Sequence, residues 1–215
     1  MKQDALHNLR TYWEKLRAGR VAPYRAELDP RAFEDVLENM FILEQLNPSQ
    51  IRVRLAGMSL CEMMGMEVRG MPPEAIMAAP HRTAFAQHLN AVLSGPTVIE
   101  LELSAQDLDN NEIRAQMLLL PLRSDFGEVT RVLGCVVTEE AEIRAPVNFS
   151  IVAQRHSVVH VDGTDTADRG LPGFAEPAAS YAPPSSPAPI RSVTSNPDVE
   201  QSAPRRGHLK IVSKS

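Results

Sequence analysis

Few side chains in this sequence are suited to chemistry: Glu44, Glu67, His81, His88, Cys61 and Cys135. Acid–base catalysis needs carboxylates that converge, or a histidine with a partner to orient it. Glu44, Glu67 and His88 have the right types, yet they lie in three separate segments and no spacing brings them together. A phosphate-cradling glycine loop, a GxSxG elbow and an HExxH zinc helix are all missing from the sequence. Cys61 and Cys135 are the only cysteines, they form no CxxC pair, and each lies in an apolar stretch. Small buried hydrophobes are therefore the favoured reading over a redox couple. These residues point away from an enzyme, and no catalytic or metal-ligating set is assigned.

Arginines offer a second kind of chemistry. Arg10, Arg17, Arg20, Arg25 and Arg31 punctuate the first thirty or so positions, and guanidinium forks suit phosphate recognition. Arg17, Arg20 and Arg25 are the candidate anion- or nucleotide-binding set. The competing reading is a solvated rim around the first helix.

The elements that would position these groups follow from periodicity. Leu6, Leu9, Trp13 and Leu16 fall at helical spacings of three and four, with Lys2, Asp4, Arg10, Glu14 and Lys15 on the polar faces. Gly19 ends that helix behind Lys15 and Arg17. The stripe reads either as packing on its own domain or as a seam for a homodimer or partner, since its tryptophan, the only one in the chain, is a typical interface anchor. Asp29-Pro30 then starts a helix through Phe33, Val36 and Leu37 toward Met40.

A hairpin comes next. Phe41 to Leu46 and Ile51 to Ala56 are strands joined by a turn at Asn47-Pro48, and Ile51, Val53 and Leu55 alternate with Arg52 and Arg54. A short helix runs from Gly57 to Gly65, and a longer one from about Pro80 to Leu93 carries Phe85, Leu89 and Val92 on one side. Thr97–Ser104, Glu112–Arg123 and Arg131–Thr138 are three further strands separated by turns at Asp109-Asn110-Asn111 and Gly127. The expectation is an α+β fold with a five-stranded antiparallel sheet and helices on one face. Residues 1–28 form a helical extension and connector, and residues 29–140 the domain proper.

The composition changes over residues 141–215. Val147 to Val161 reads as a short extra strand or helix. Asp162 to Pro204 is dominated by Pro, Ala, Ser, Asp and Gly, too little apolar surface to offset the entropy of ordering, so a disordered tail is expected. His208 to Val212, after Arg205-Arg206, reads as a docking motif or simply a solubilised end.

The chain has 215 residues, 43% of them hydrophobic and 23% charged, with a net charge of −5. An acidic balance gives no general attraction to nucleic acid or anionic lipid. No apolar run approaches the roughly 20 residues that span a bilayer, and the charged N-terminus lacks a signal-peptide core. A cytoplasmic address is expected, with neither nucleic acid nor membrane as a partner.

Tyr12-Trp13, Leu16-Arg17, Gly19-Arg20, Pro23, Arg25, Asp29-Pro30, Phe41–Glu44, Arg54–Gly57, Leu60-Cys61, Gly65, Glu67 and Arg69-Gly70 form a recognisable set. With Leu120-Pro121-Leu122 and Leu133-Gly134 it resembles a family of compact, largely single-domain PAS proteins of α-proteobacteria, from Met1 to about Thr138. Met58, Met64 and Met66 depart from that pattern. The resemblance implies a PAS sensory or adaptor protein that regulates a partner protein in bacterial signalling. A small-molecule ligand would sit between sheet and helices near Leu60, Met64, Phe85, His88 and Leu89, with no cofactor identified. Some PAS domains hold haem through a histidine on the long helix, which makes His81 and His88 the residues to inspect. A flavin photoreceptor carries its cysteine in an Asn-Cys-Arg-Phe run, whereas Cys61 stands between Leu60 and Glu62. The alternatives are a ligand-free interaction scaffold and, more remotely, a haem sensor or small α+β enzyme.

Overall fold

The computed structural model describes residues 2–140 and 142–161. The tail from Asp162 and the His208–Val212 motif lie outside the described residues. Helix α1 spans Lys2–Arg17, followed by 3-10 segments at Arg25–Glu27 and Pro30–Asn39. Strands β1 (Met40–Asn47) and β2 (Gln50–Ala56) form the hairpin, then come α2 (Met58–Met64) and α3 (Arg82–Ser94). Strands β3 (Thr97–Gln106), β4 (Glu112–Arg123), β5 (Val129–Thr138) and β6 (Ser150–Val158) complete the domain. The order across the sheet is β2-β1-β5-β4-β3-β6, and every neighbouring pair is antiparallel.

Local chemistry explains the turns. Asn47 accepts the Ser49 N–H at 3.0 Å and closes the first hairpin. Asp29 caps the segment behind it by accepting from the Arg31 N–H at 3.1 Å. That segment is 3-10 rather than α-helical, and Phe33 breaks it at φ −144°. Two glycines are required by close approach. A Cβ on Gly57 would lie 2.2 Å from the Glu38 carbonyl oxygen, and one on Gly134 would lie 2.1 Å from the Phe41 ring.

Two features differ from the sequence-based expectation. The sheet has six strands, because Ser150–Val158 pairs antiparallel along β3 as the outer strand. Helices also cover both faces rather than one. On one face α2, α3 and the chain around Phe149 enclose a core containing Phe41, Phe85, Ile99 and Leu119. On the other, α1 and the Pro30–Asn39 segment enclose Leu118, Leu120, Leu122, Leu133 and Cys135. Strands β4 and β5 lie in the middle with both faces covered, which is why they read as continuous apolar runs rather than alternating ones.

The α1 stripe belongs to this second core. Trp13 is fully buried and its indole N–H donates to the Pro121 carbonyl at 2.9 Å. Leu9 is buried, while Leu6 and Leu16 are half-buried. Of the two readings of the stripe, packing on its own domain holds for Leu9 and Trp13, which the sheet of the same chain covers, while Leu6 and Leu16 stay half-exposed. A large aromatic in that position is structural, so truncation must cost stability.

Asp107 organises the β3–β4 turn. Its carboxylate accepts from the N–H groups of Asp109 and Asn111, each at 2.9 Å, and from Arg144 at 3.4 Å. Burial alone would raise its pKa, but the hydrogen bonds from Asn111, Arg144 and Asp109 outweigh it and hold the group below its ordinary 3.8. A carboxyl with a depressed folded pKa stabilises fully above the ordinary value and loses that contribution as pH falls through the folded one.

Two outcomes are expected. Trp13→Ala should lower unfolding free energy by about 3–5 kcal/mol in urea titrations; an unchanged midpoint would mean that α1 does not pack on the sheet. Asp107→Asn should make the acid limb of a pH–stability curve shallower below about pH 4, and an identical limb would remove Asp107 from the acid transition.

Candidate functional site

The space between α2, α3 and the first sheet face is where a ligand was expected. Leu60, Met64, Phe85 and Leu89 all point into it, and all are at most 5% exposed. They pack with Met63, Val68, Ile76, Met77 and Phe149 in one continuous cluster. Met58 and Met66 are exposed instead, so of the three unexpected methionines only Met64 shapes the interior. Gly65, at φ +67°, ends α2 and turns the chain away before Met66 reaches the core.

His88 lies at the margin of this interior, where α3 meets β6. The residue is buried, and its Nε2 has no hydrogen-bond partner. Leaving a buried polar nitrogen unpaired costs about 1–3 kcal/mol. Burial, then the neighbouring His156, lower the pKa of His88, and a hydrogen bond with Gln154 opposes them in part. The ring centres of His88 and His156 are 5.0 Å apart with their planes at 78°. His81 is occupied differently, its Nδ1 accepting the Ile151 N–H at 3.3 Å. The strand that sequence reading left undecided thus touches both histidines.

The carboxylates do not assemble with His88. Glu44 pairs with Arg131 at 3.2 Å and Arg54 at 3.7 Å on the hairpin. Glu67 accepts from the Arg69 N–H at 3.1 Å in the loop after α2. The three groups considered for acid–base work therefore serve three separate local structures.

Nor do Arg17, Arg20 and Arg25 form an anion site. Arg17 is buried, donates to the carbonyls of Arg20 and His160, and pairs with Glu14. Arg20 donates to the carbonyls of Arg17 and Leu16 and forks onto Glu27 at 3.0 Å to each oxygen. These cations satisfy the carbonyl end of α1 and its carboxylate neighbours, as cations at a helix C-terminus do. Arg25 is exposed and outside that arrangement.

One surface groove escaped sequence reading because four elements and the chain that follows β5 build it. About 840 Å³ in size, it lies between α1, the Pro30–Asn39 segment, α2 and the end of β5. Asp4, Asp35, Glu62, Glu140 and Glu142 rim it over Val36, Met63 and Ile143. Leu37, Leu55 and Met58 are exposed near it, flanking Gly57, whose close approach to the Leu37 and Glu38 carbonyls gathers them.

A family model described as a PAS domain matches residues 1–137. The chain belongs to the PAS domain family. Solved structures similar to this PAS chain include one described as a flavin analogue in a light-oxygen-voltage domain, at 17% identity and TM-score 0.40, covering 52% of this chain and 84% of that one. The dark structure of the blue-light photoreceptor Aureochrome1 LOV is 16% identical at TM-score 0.39, covering 52% and 82%. A Rhodobacter sphaeroides LOV protein is 13% identical at TM-score 0.39, covering 48% and 60%. No curated protein matches the chain. No helix among the described residues is long and apolar enough to cross a membrane.

The two thiols of this PAS domain differ in reach. Cys135 is buried in β5, and burial pushes its pKa up to about 12. Cys61 is half-buried, with Sγ 3.8 Å from Glu67. An aromatic disulfide reagent at pH 8 should therefore label Cys61 alone in the native protein and both thiols in denaturant. Fast native labelling of Cys135 would contradict its place in the second core.

Proposed function

A PAS domain carries a sensory or regulatory role, and we propose that this one acts by docking on a partner protein in a signalling pathway. The observation that carries the proposal is the interior. Leu60, Met64, Phe85 and Leu89 fill the space between helices and sheet with their own side chains. Specificity then rests on the outside, where Leu37, Leu55 and Met58 are 44%, 40% and 66% exposed beside an acidic groove. Methionine is unbranched and polarizable, and it adapts to varied partner surfaces. Regulation in this reading is a change in partner contacts, with the protein poised between contact states that an input biases.

Native and denatured masses of the purified full-length protein test the interior. Equal masses are expected; a reproducible small-molecule adduct lost on denaturation would replace this reading with that of a ligand sensor. Met58→Asp tests the outside. It should leave the melting temperature within about 2 °C, as exposed substitutions do, and abolish binding of the protein's signalling partner. Undiminished partner affinity would remove the patch from the proposal.

A further inference from the structure

The His88–His156 contact joins the buried side of α3 to the outer strand β6. Three observations bear on it. His88 is 6% exposed and its Nε2 has no partner. The second imidazole stands 5.0 Å away, centre to centre. The His88 ring donates a hydrogen bond to the Gln154 side chain, the kind of outer contact that orients a metal-binding histidine.

The separation fits a shared ion as well as it fits an edge-to-face ring contact, whose centres stand about 4.5–7 Å apart. With metal–nitrogen bonds of about 2.0–2.1 Å, an ion lies roughly 3.2 Å from the centre of each ligating ring. Ligand angles between about 90° and 109°, the square and tetrahedral values, then place the two centres roughly 4.5–5.2 Å apart. The observed 5.0 Å falls within that interval. Burial also favours the neutral imidazole, the form that ligates.

We propose that His88 and His156 form a two-imidazole site for a divalent transition-metal ion of the zinc or copper class, with solvent completing the coordination. Nitrogen donors select that class over magnesium or calcium. Among the described residues no group of three or more His, Cys, Asp or Glu side chains could hold a metal together, so the protein contributes two ligands and the ion exchanges readily. Bound there, the ion ties β6 to α3. It is an input at the seam, separate from the packed interior and the exposed patch.

The test uses the full-length protein, stripped with a chelator and titrated with zinc sulfate by calorimetry, with melting curves recorded in parallel. A single saturable binding event and a higher melting temperature in zinc are expected. His156→Gln changes an exposed strand position, so its metal-free melting temperature should match the wild type. It should weaken zinc binding by at least about tenfold, the lower bound seen even for outer-shell changes, and abolish the thermal shift. His88→Gln, checked for folding by circular dichroism, should do the same. Absence of saturable binding would overturn the site. So would wild-type affinity in His156→Gln, which would assign the zinc to adventitious donors such as the half-buried Cys61.

Discussion

Everything in this molecule depends on the burial of β4 and β5 from both sides. A strand apolar on one face needs a single covering layer. These two are apolar on both, and the sheet is stable only when α1 and the Pro30–Asn39 segment cover what α2 and α3 leave open. The Trp13–Pro121 hydrogen bond fixes that second layer. Proline has no N–H to give the sheet, while its carbonyl accepts the indole, so the bond joins the layer to the middle of the sheet. The N-terminal helix is thus part of the domain.

That arrangement determines where function can reside. Both interiors are occupied by side chains of the chain itself, and the arginines near α1 are committed to carbonyls and carboxylates. The edges and seams remain: the Gly57 surface with its exposed leucines and methionine, the acidic groove beside it, and the line where α3 meets β6. Each combines residues distant in sequence. Each also lies where backbone segments meet, so small shifts of an element there alter surface chemistry without opening a core.

Much of the fold was legible in the sequence for a simple reason: the period of the apolar residues reports the geometry of each element. The Ile51–Val53 part of the β2 alternation, the α1 stripe and the turn at Asn47 carried that signal, whereas Leu55, beyond the register shift at Ile42/Leu43, is exposed against the alternation. Strand β6 did not. It is an outer strand with exposed Val152 and Val158, so its apolar residues follow neither period. Which face α1 covers was equally hidden, since a stripe shows that a helix is buried but not against what. For the site, Leu60, Met64, Phe85 and Leu89 of the expected ligand-pocket set share one buried cluster, with His88 at its margin. Its being filled depends on Val147 and Phe149 arriving from beyond β5, which no local pattern encodes. The arginines misled because side-chain type cannot reveal that a helix end has already claimed them.

Arg17 links two distant parts of the chain. Its guanidinium donates to the carbonyl of Arg20 at one end of α1 and to that of His160 just past β6, at 3.1 Å. Mechanically this is a clasp between the first helix and the point where the chain leaves the last described strand. A pull exerted beyond Val161 would load Arg17 and α1 as well as the outer strand. Tension at the carboxyl side of the domain is therefore shared, through this one guanidinium, with its amino side.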